Sequence, residues 1–171
     1  MLVRISVQPG DFFFIPSGTV HALGKGIVLL EIQQNSDLTY RIYDYNRIGL
    51  DGKKRNLHLA KALDVMTFEA ARYHGKRSAG GEPGFKTTLA SCRHFTVEKW
   101  LIQDSWDLFS LDGFILICVI KGKGELLFED NALRLSKGSS IMIPVNMGTY
   151  QIKGNIEAIA SYVHKDEGIR T

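Results

Sequence analysis

Residues 8–47 read QPGDFFFIPSGTVHALGKGIVLLEIQQNSDLTYRIYDYNR. Gly-Asp, an aromatic and aliphatic run, Pro-Ser-Gly, a lone His and a second apolar run ending in Glu describe a strand, a tight turn and a returning strand. Phe12–Ile15 supply the first strand and Ile27–Leu30 the second, with Pro16, Gly18, Gly24 and Gly26 as punctuation. The polar groups gather at the turn end, as at a barrel mouth. His21 lies just past the turn and Glu31 inside the second strand, so an imidazole at position 21 can face a ligand cavity.

Outward from this stretch, residues 2–34 predict strands with turns at Pro9-Gly10-Asp11 and Pro16-Ser17-Gly18. Leu2, Ile5 and Val7 already read as strand, so the chain starts inside an element and a preceding segment is expected. After Asn35-Ser36-Asp37, residues Leu38–Tyr45 alternate again with an aromatic, polar face that carries Arg41, and Arg47 follows. That cationic pair either lines the cavity of the first strands or is solvated surface.

Asp51-Gly52-Lys53-Lys54-Arg55 reads as a turn and basic loop. Leu59, Ala62, Leu63 and Met66 recur at spacings of three and four, predicting a short connecting helix over about His58–Val65. Glu69–Gly84 is polar and glycine-rich, a linker or long loop. From Phe85 the strand signal returns as HFTVEKWLI, WDLFSL, GFILICVI, GELLFE, ALRLS, SSIMIPV, GTYQI and EAIASYV, with Lys121-Gly-Lys-Gly read as a turn. Short strands at regular spacing argue for a small all-β sandwich or barrel. GSSIMIPVNMGT at 138–149 repeats the grammar of GDFFFIPSGTVH at 10–21, so two related β units sit in tandem. The second copy of the repeat has Asn146 and Met147 near its turn and no His from there until His164. The divisions are 1–50, the carboxy-terminal part of a first barrel; 51–84, loop, short helix and linker; and 85–171, a second β unit.

Composition narrows the function classes. With 171 residues, 44% hydrophobic and 23% charged, the chain is ordinary globular material rather than disordered. The net charge of +3 is spread out, and Lys53-Lys54-Arg55 and Lys76-Arg77 lack the aromatic interleaving of nucleic-acid binders, so no nucleic-acid partner is expected. No stretch reaches the roughly 20 apolar residues of a membrane span. Two cysteines, Cys92 and Cys118, form no CxxC pair and read as reduced thiols of a cytoplasmic protein.

On spacing alone, His21 and Glu31 are a weak metal signal, because zinc takes three or four protein ligands; a turn or core histidine is the competing reading. His58 and His94 read as surface or capping histidines, and Tyr43 and Asp44 as supports for Arg41.

The segment GDFFFIPSGTVHALGKGIVLLEIQQNSDLTYRIYDYNR, followed by GKKRNLHLAKALDV, closely resembles the second half of type I mannose-6-phosphate isomerases, and the closing unit resembles that family's carboxy-terminal cupin with its degenerate Gly...IPxxxG motif. The resemblance runs from about residue 3 to the end. It implies a mostly β fold of tandem cupin (double-stranded β-helix, jelly-roll) units, the first incomplete. It also implies a zinc-dependent aldose-ketose isomerase, an intramolecular oxidoreductase acting on a sugar phosphate, with His21 as the last zinc ligand. Arg41 would be the active-site arginine of Thr-Tyr-Arg-Ile-Tyr-Asp, Glu31 a pocket acid, and Arg47 a second substrate-binding cation. Glu31 either moves the proton or orients His21 or pairs with Arg41. The family's Gln-Val-His segment and later Glu, which supply the other zinc ligands, are absent, so weak or no zinc binding and little turnover are expected of this chain alone. The alternative is a non-catalytic sugar-phosphate-binding cupin module, and an open first barrel would self-associate or pair with an amino-terminal half.

Overall fold

The structure is a computed structural model and describes residues 3–68, 76–77, 84–110 and 112–163. Most of the expected linker at Glu69–Gly84, and His164, lie outside the described residues. Contacts divide the chain into two units: 1–8 with 13–75, and 9–12 with 76–171.

The second unit is a mostly β, antiparallel structure. Besides β1 (Asp11–Phe12) paired with β2 (Lys76–Arg77), it has β3 (Lys86–Ser91), β4 (Thr96–Ile102), β5 (Ser105–Phe109), β6 (Ile115–Phe128), β7 (Asn131–Ser136), β8 (Ser140–Ile143) and β9 (Thr149–Tyr162). The main path of the seven-stranded sheet is β3-β4-β9-β6-β7, with β5 joining β9 and β8 joining β6. β6 and β9, each 14 residues long, pair from Ile115↔Tyr162 to Leu127↔Gln151. Each takes a different outer partner at either end. β4 borders β9 at 156–162 and β5 borders it at 149–153; β8 borders β6 at 115–118 and β7 at 123–128.

One core fills the unit. Alternation sends Ile115, Ile117 and Val119 of β6 inward, and Tyr150, Ile152, Ile156, Ala158 and Ala160 of β9, against Trp100, Ile102, Leu126, Leu135 and Ile143. The inward set of β6 changes from odd to even numbers because the register slips between Val119 and Lys121, a bulge that flips every later side chain to the other face. Gly122, Gly124 and, on β9, Gly154 are then the inward positions. A Cβ at Gly122 would lie 1.9 Å from the Asn155 carbonyl oxygen, and one at Gly124 2.0 Å from that of Lys153. The expected turn at Lys121-Gly-Lys-Gly is therefore a crease inside one strand, and Lys153-Gly154-Asn155 is the facing crease. Four of the expected strands merge into two, since two backbones this close continue the ladder through the glycines rather than break it.

Polar groups at this core are mostly paired. Glu98 accepts from Trp100 Nε1 at 2.8 Å and from the Tyr162 hydroxyl at 3.2 Å, and Lys99 Nζ lies 2.7 Å from Glu157 Oε1. The Tyr150 hydroxyl has no hydrogen-bond partner among the described residues, and burial pushes its pKa up to about 12.

The first unit is built from turns around α1 (Leu59–Val65), which begins one residue later than the sequence pattern suggests. Ala62 is the one buried hydrophobic residue among those described in this unit. Ile27–Leu30 and Leu38–Tyr45, expected as strands, form none: their backbones have no ladder partner among the described residues, and strand propensity is realised only in pairing. Val28, at 98% exposure, shows how little covers these apolar runs.

Two outcomes check the packing. Gly154 has φ +122°, and its Cβ would lie 2.5 Å from the Lys123 carbonyl oxygen; Gly154→Ala should lower unfolding free energy by about 2–4 kcal/mol in urea titrations. Tyr150 keeps its proton in the fold above its ordinary value of 10.0, so its contribution is intact below that pH and is lost as pH rises toward about 12. Tyr150→Phe should remove that alkaline loss and, by deleting an unpaired hydroxyl, hold or raise stability by up to about 1–2 kcal/mol at neutral pH.

Candidate functional site: a basic hollow around Arg41

The first unit turns back on itself twice between Arg41 and α1. Tyr45 and Asn46 adopt φ of 52° and 53°, and Arg47 N–H donates to the Asp44 carbonyl at 2.9 Å. At Gly49–Lys53 a second reversal, with Gly52 at φ +72°, is closed by Gly49 N–H on the Lys53 carbonyl at 2.8 Å and by the Ile48↔Lys54 bridge. The second reversal folds the basic run toward Arg41.

The result is an open hollow of about 410 Å³ lined by Arg41, Asp51, Lys53, Lys54, Arg55, Asn56 and His58. Four cations face one carboxylate. Arg55 forks onto Asp44, its Nε 2.7 Å from Oδ2 and its Nη2 on Oδ1. These hydrogen bonds, ahead of the charges of Arg55, Arg47 and Arg41, hold the Asp44 carboxyl below its ordinary range. Lys54 Nζ donates to Asn46 Oδ1 at 3.0 Å, and Asp51 Oδ1 accepts from Lys53 N–H at 3.1 Å. The guanidinium of Arg41 and the ammonium of Lys53 have no hydrogen-bonding side-chain partner among the described residues. Two cations with no side-chain hydrogen bond in one concavity suit a phosphate or a developing oxyanion.

Of the residues singled out from sequence, Arg41 is half-buried and lines this hollow; His21, Glu31 and Arg47 are exposed and do not line it. Arg47 Cζ sits 5.8 Å from the centre of the Tyr45 ring. His21 Nδ1 lies 2.9 Å from the Thr19 carbonyl oxygen. A carbonyl only accepts, so Nδ1 carries a proton, and in the neutral ring Nε2 is the nitrogen with the lone pair a metal would take. Among the described residues, however, no three His, Cys, Asp or Glu side chains gather closely enough to hold a metal. His21 is one donor where zinc takes three or four, so the described residues do not complete a zinc site.

Sequence reasoning passed over Lys53 and His58. The usable signal was the Asp51-Gly52 reversal, which folds whatever follows it back toward the preceding strand-like segment. A second hollow, about 560 Å³ in the other unit, is lined by Gly84, Lys86, Ser105, Trp106, Asp107 and Leu108. There Lys86 Nζ lies over the Trp100 ring at 4.5 Å, so its one cation is already engaged.

Residues 85–163 match the family model described as mannose-6-phosphate isomerase, cupin domain. The chain is 42% identical over 164 residues to mannose-6-phosphate isomerase ManA of Bacillus subtilis, covering 95% of this chain and 52% of that protein. Against mannose-6-phosphate isomerase of Streptococcus mutans it is 40% identical over 169 residues, covering 95% and 51%. The crystal structure of the mannose 6-phosphate isomerase from Bacillus subtilis superposes with a TM-score of 0.59 at 32% identity, over 76% of this chain and 42% of that one. The chain thus spans about half the length of the curated relatives it matches.

The Asp44–Arg55 fork has a signed pH dependence. With the folded carboxyl below 3.8, its contribution is intact above that value and disappears as pH falls through the depressed folded pKa. Proteolysis at Lys53, Lys54 and Arg55 should stay slow down to about pH 4 and accelerate below it; Asp44→Asn should be cut fast at every pH.

Proposed function

We propose, for a chain that resembles mannose-6-phosphate isomerases along 95% of its length and carries their cupin domain at residues 85–163, that it works as part of a sugar-phosphate isomerase. The reaction is the interconversion of D-mannose 6-phosphate and D-fructose 6-phosphate. A proton leaves C2 of the aldose, an enediolate forms, the hydroxyl proton passes from O2 to O1, and a proton is returned to C1. The observation that carries the reading is Arg41, a half-buried guanidinium with no side-chain hydrogen bond of its own in a hollow rich in cations.

In this reading Arg41 supplies fixed positive charge to the phosphate or to the enediolate oxygen, and it needs no rearrangement to do so. Lys53 adds a second charge, and Arg47, outside the lining of the hollow, is a further candidate contact for the substrate. Glu31 serves as the carboxylate that moves the proton or holds a neighbouring group. Zinc would add Lewis-acid polarisation of the sugar oxygen. His21 offers it one nitrogen, and the remaining donors must come from outside the described residues.

The exposed apolar runs around Val28 and Leu38 support pairing with a further polypeptide segment or with a second copy. A cytoplasmic setting goes with the reading: Cys92 and Cys118 are free thiols, and no helix among the described residues is long and apolar enough to cross a membrane. The shortage of metal donors among the described residues favours one second reading, a sugar-phosphate-binding module without catalysis.

Calorimetry with mannose 6-phosphate, with and without chelator, together with zinc analysis and a coupled isomerase assay, tests both. The 171-residue chain should bind the sugar phosphate without needing metal, hold less than one zinc, and show little turnover. Arg41→Ala should weaken binding by about 1.4–2.8 kcal/mol, roughly ten- to a hundredfold. Stoichiometric zinc with turnover would overturn the expected dependence on outside donors, and binding indifferent to Arg41 would overturn the assignment of the hollow.

A further inference from the structure

Among the residues of the basic hollow, His58 is bonded in a way that neither a surface nor a capping histidine requires. It stands at the amino end of α1 yet makes no side-chain cap to the helix. Its bonds go instead to one residue seventeen positions earlier. His58 N–H donates to the Arg41 carbonyl at 2.8 Å, and Arg41 N–H donates to His58 Nδ1 at 3.2 Å. Both main-chain polar groups of Arg41 are thus taken by a single partner. The ring is also fixed from the side, meeting Tyr40 edge-on with centroids 6.1 Å apart. His58 is itself anchored, because its carbonyl accepts from the N–H of Ala62, the buried residue of the unit, at 2.8 Å.

We propose that His58 is a positioning residue for Arg41: the two-bond clamp sets the backbone from which the guanidinium reaches a sugar phosphate in the hollow. This role rests on the sugar-phosphate reading above. The chemistry is specific to one nitrogen and one tautomer. An N–H needs an acceptor, so Nδ1 must be bare and the proton must sit on Nε2. A proton on Nδ1 would set two donors face to face and break the Arg41 N–H bond, leaving only the main-chain bond from His58 N–H to the Arg41 carbonyl. The charged groups lining the hollow with His58 are Arg41, Lys53, Lys54, Arg55 and Asp51, and Tyr40 is the titratable group against its ring.

Three substitutions separate the clamp from direct contact with ligand. His58→Asn keeps an acceptor near the Nδ1 position, His58→Gln moves the polar group out to the Nε2 position, and His58→Ala removes both. Amide exchange at Arg41 reports the clamp, ¹⁵N chemical shifts report the tautomer, and calorimetry with mannose 6-phosphate reports the consequence, all on the 171-residue chain. The Nε2–H tautomer is expected in the wild type. Arg41 N–H should stay protected in the wild type and His58→Asn, and lose protection in His58→Gln and His58→Ala. In the latter two, affinity should fall about three- to tenfold.

Unchanged Arg41 protection in His58→Ala would overturn the clamp. Lost protection with unchanged affinity would overturn its positioning role, and affinity kept by Gln but lost by Asn would assign Nε2 to the ligand instead. A wild type that shows the clamp but binds no sugar phosphate overturns the sugar-phosphate reading, and with it this role for His58.

Discussion

The second unit depends on a backbone-to-backbone approach that no side chain can enter. At the crease of β6 and β9, Gly122, Gly124 and Gly154 bring two strands so close that any Cβ would overlap a carbonyl or a Cα. The bulge after Val119 aligns these glycines with the inner face, so the sheet bends where it carries no bulk. Leu126, Tyr150 and Ile152 on one side of the crease then meet Ile115, Ile117 and Trp100 on the other in one core. A Cβ at Gly124 would also press the Ile156 side chain, whose Cδ1 lies 2.7 Å away, so the neighbouring volume is already filled.

The first unit is held differently, by hydrogen bonds at the two ends of a seven-residue helix. At its start, His58 takes up the main chain of Arg41. Beyond its end, Thr67 N–H donates to the Gly18 carbonyl at 2.9 Å, and a Cβ on Gly18 would lie 2.7 Å from the Val65 carbonyl oxygen. α1 therefore ties the turn preceding His21 to the segment bearing Arg41. With few apolar residues covered, these polar links carry much of the local order, and the hollow they shape holds more cations than it neutralises.

How much of this was legible in the sequence follows from where the information sits. Alternation and apolar runs found β4 to β9, whose buried residues mark them in the text, but not β3, whose residues are exposed or half-buried, nor β2, which fell in the expected linker. They misread Lys121-Gly-Lys-Gly as a turn, since a glycine pair marks both reversals and close approaches, and only the facing Gly154 distinguishes them. In residues 12–45 the same signal overreached: apolar and β-branched runs promised strands, but a strand also needs an edge to pair with. Arg41 was found through the words around it. His58 was not, because what marks it is two bonds to the main chain of a distant residue, and bonds to backbone leave no constraint on the neighbouring letters.

The length of β6 and β9 has one more consequence. Because each is a single piece of chain bordered by different strands at its two ends, the bent sheet has no seam along which one half could detach from the other. Loosening β7 frees the stretch of β6 beyond the crease, and that stretch continues directly into the residues that hold β8. The second unit is built to melt as one cooperative block, whereas the first, tied by isolated polar links, can come apart a segment at a time.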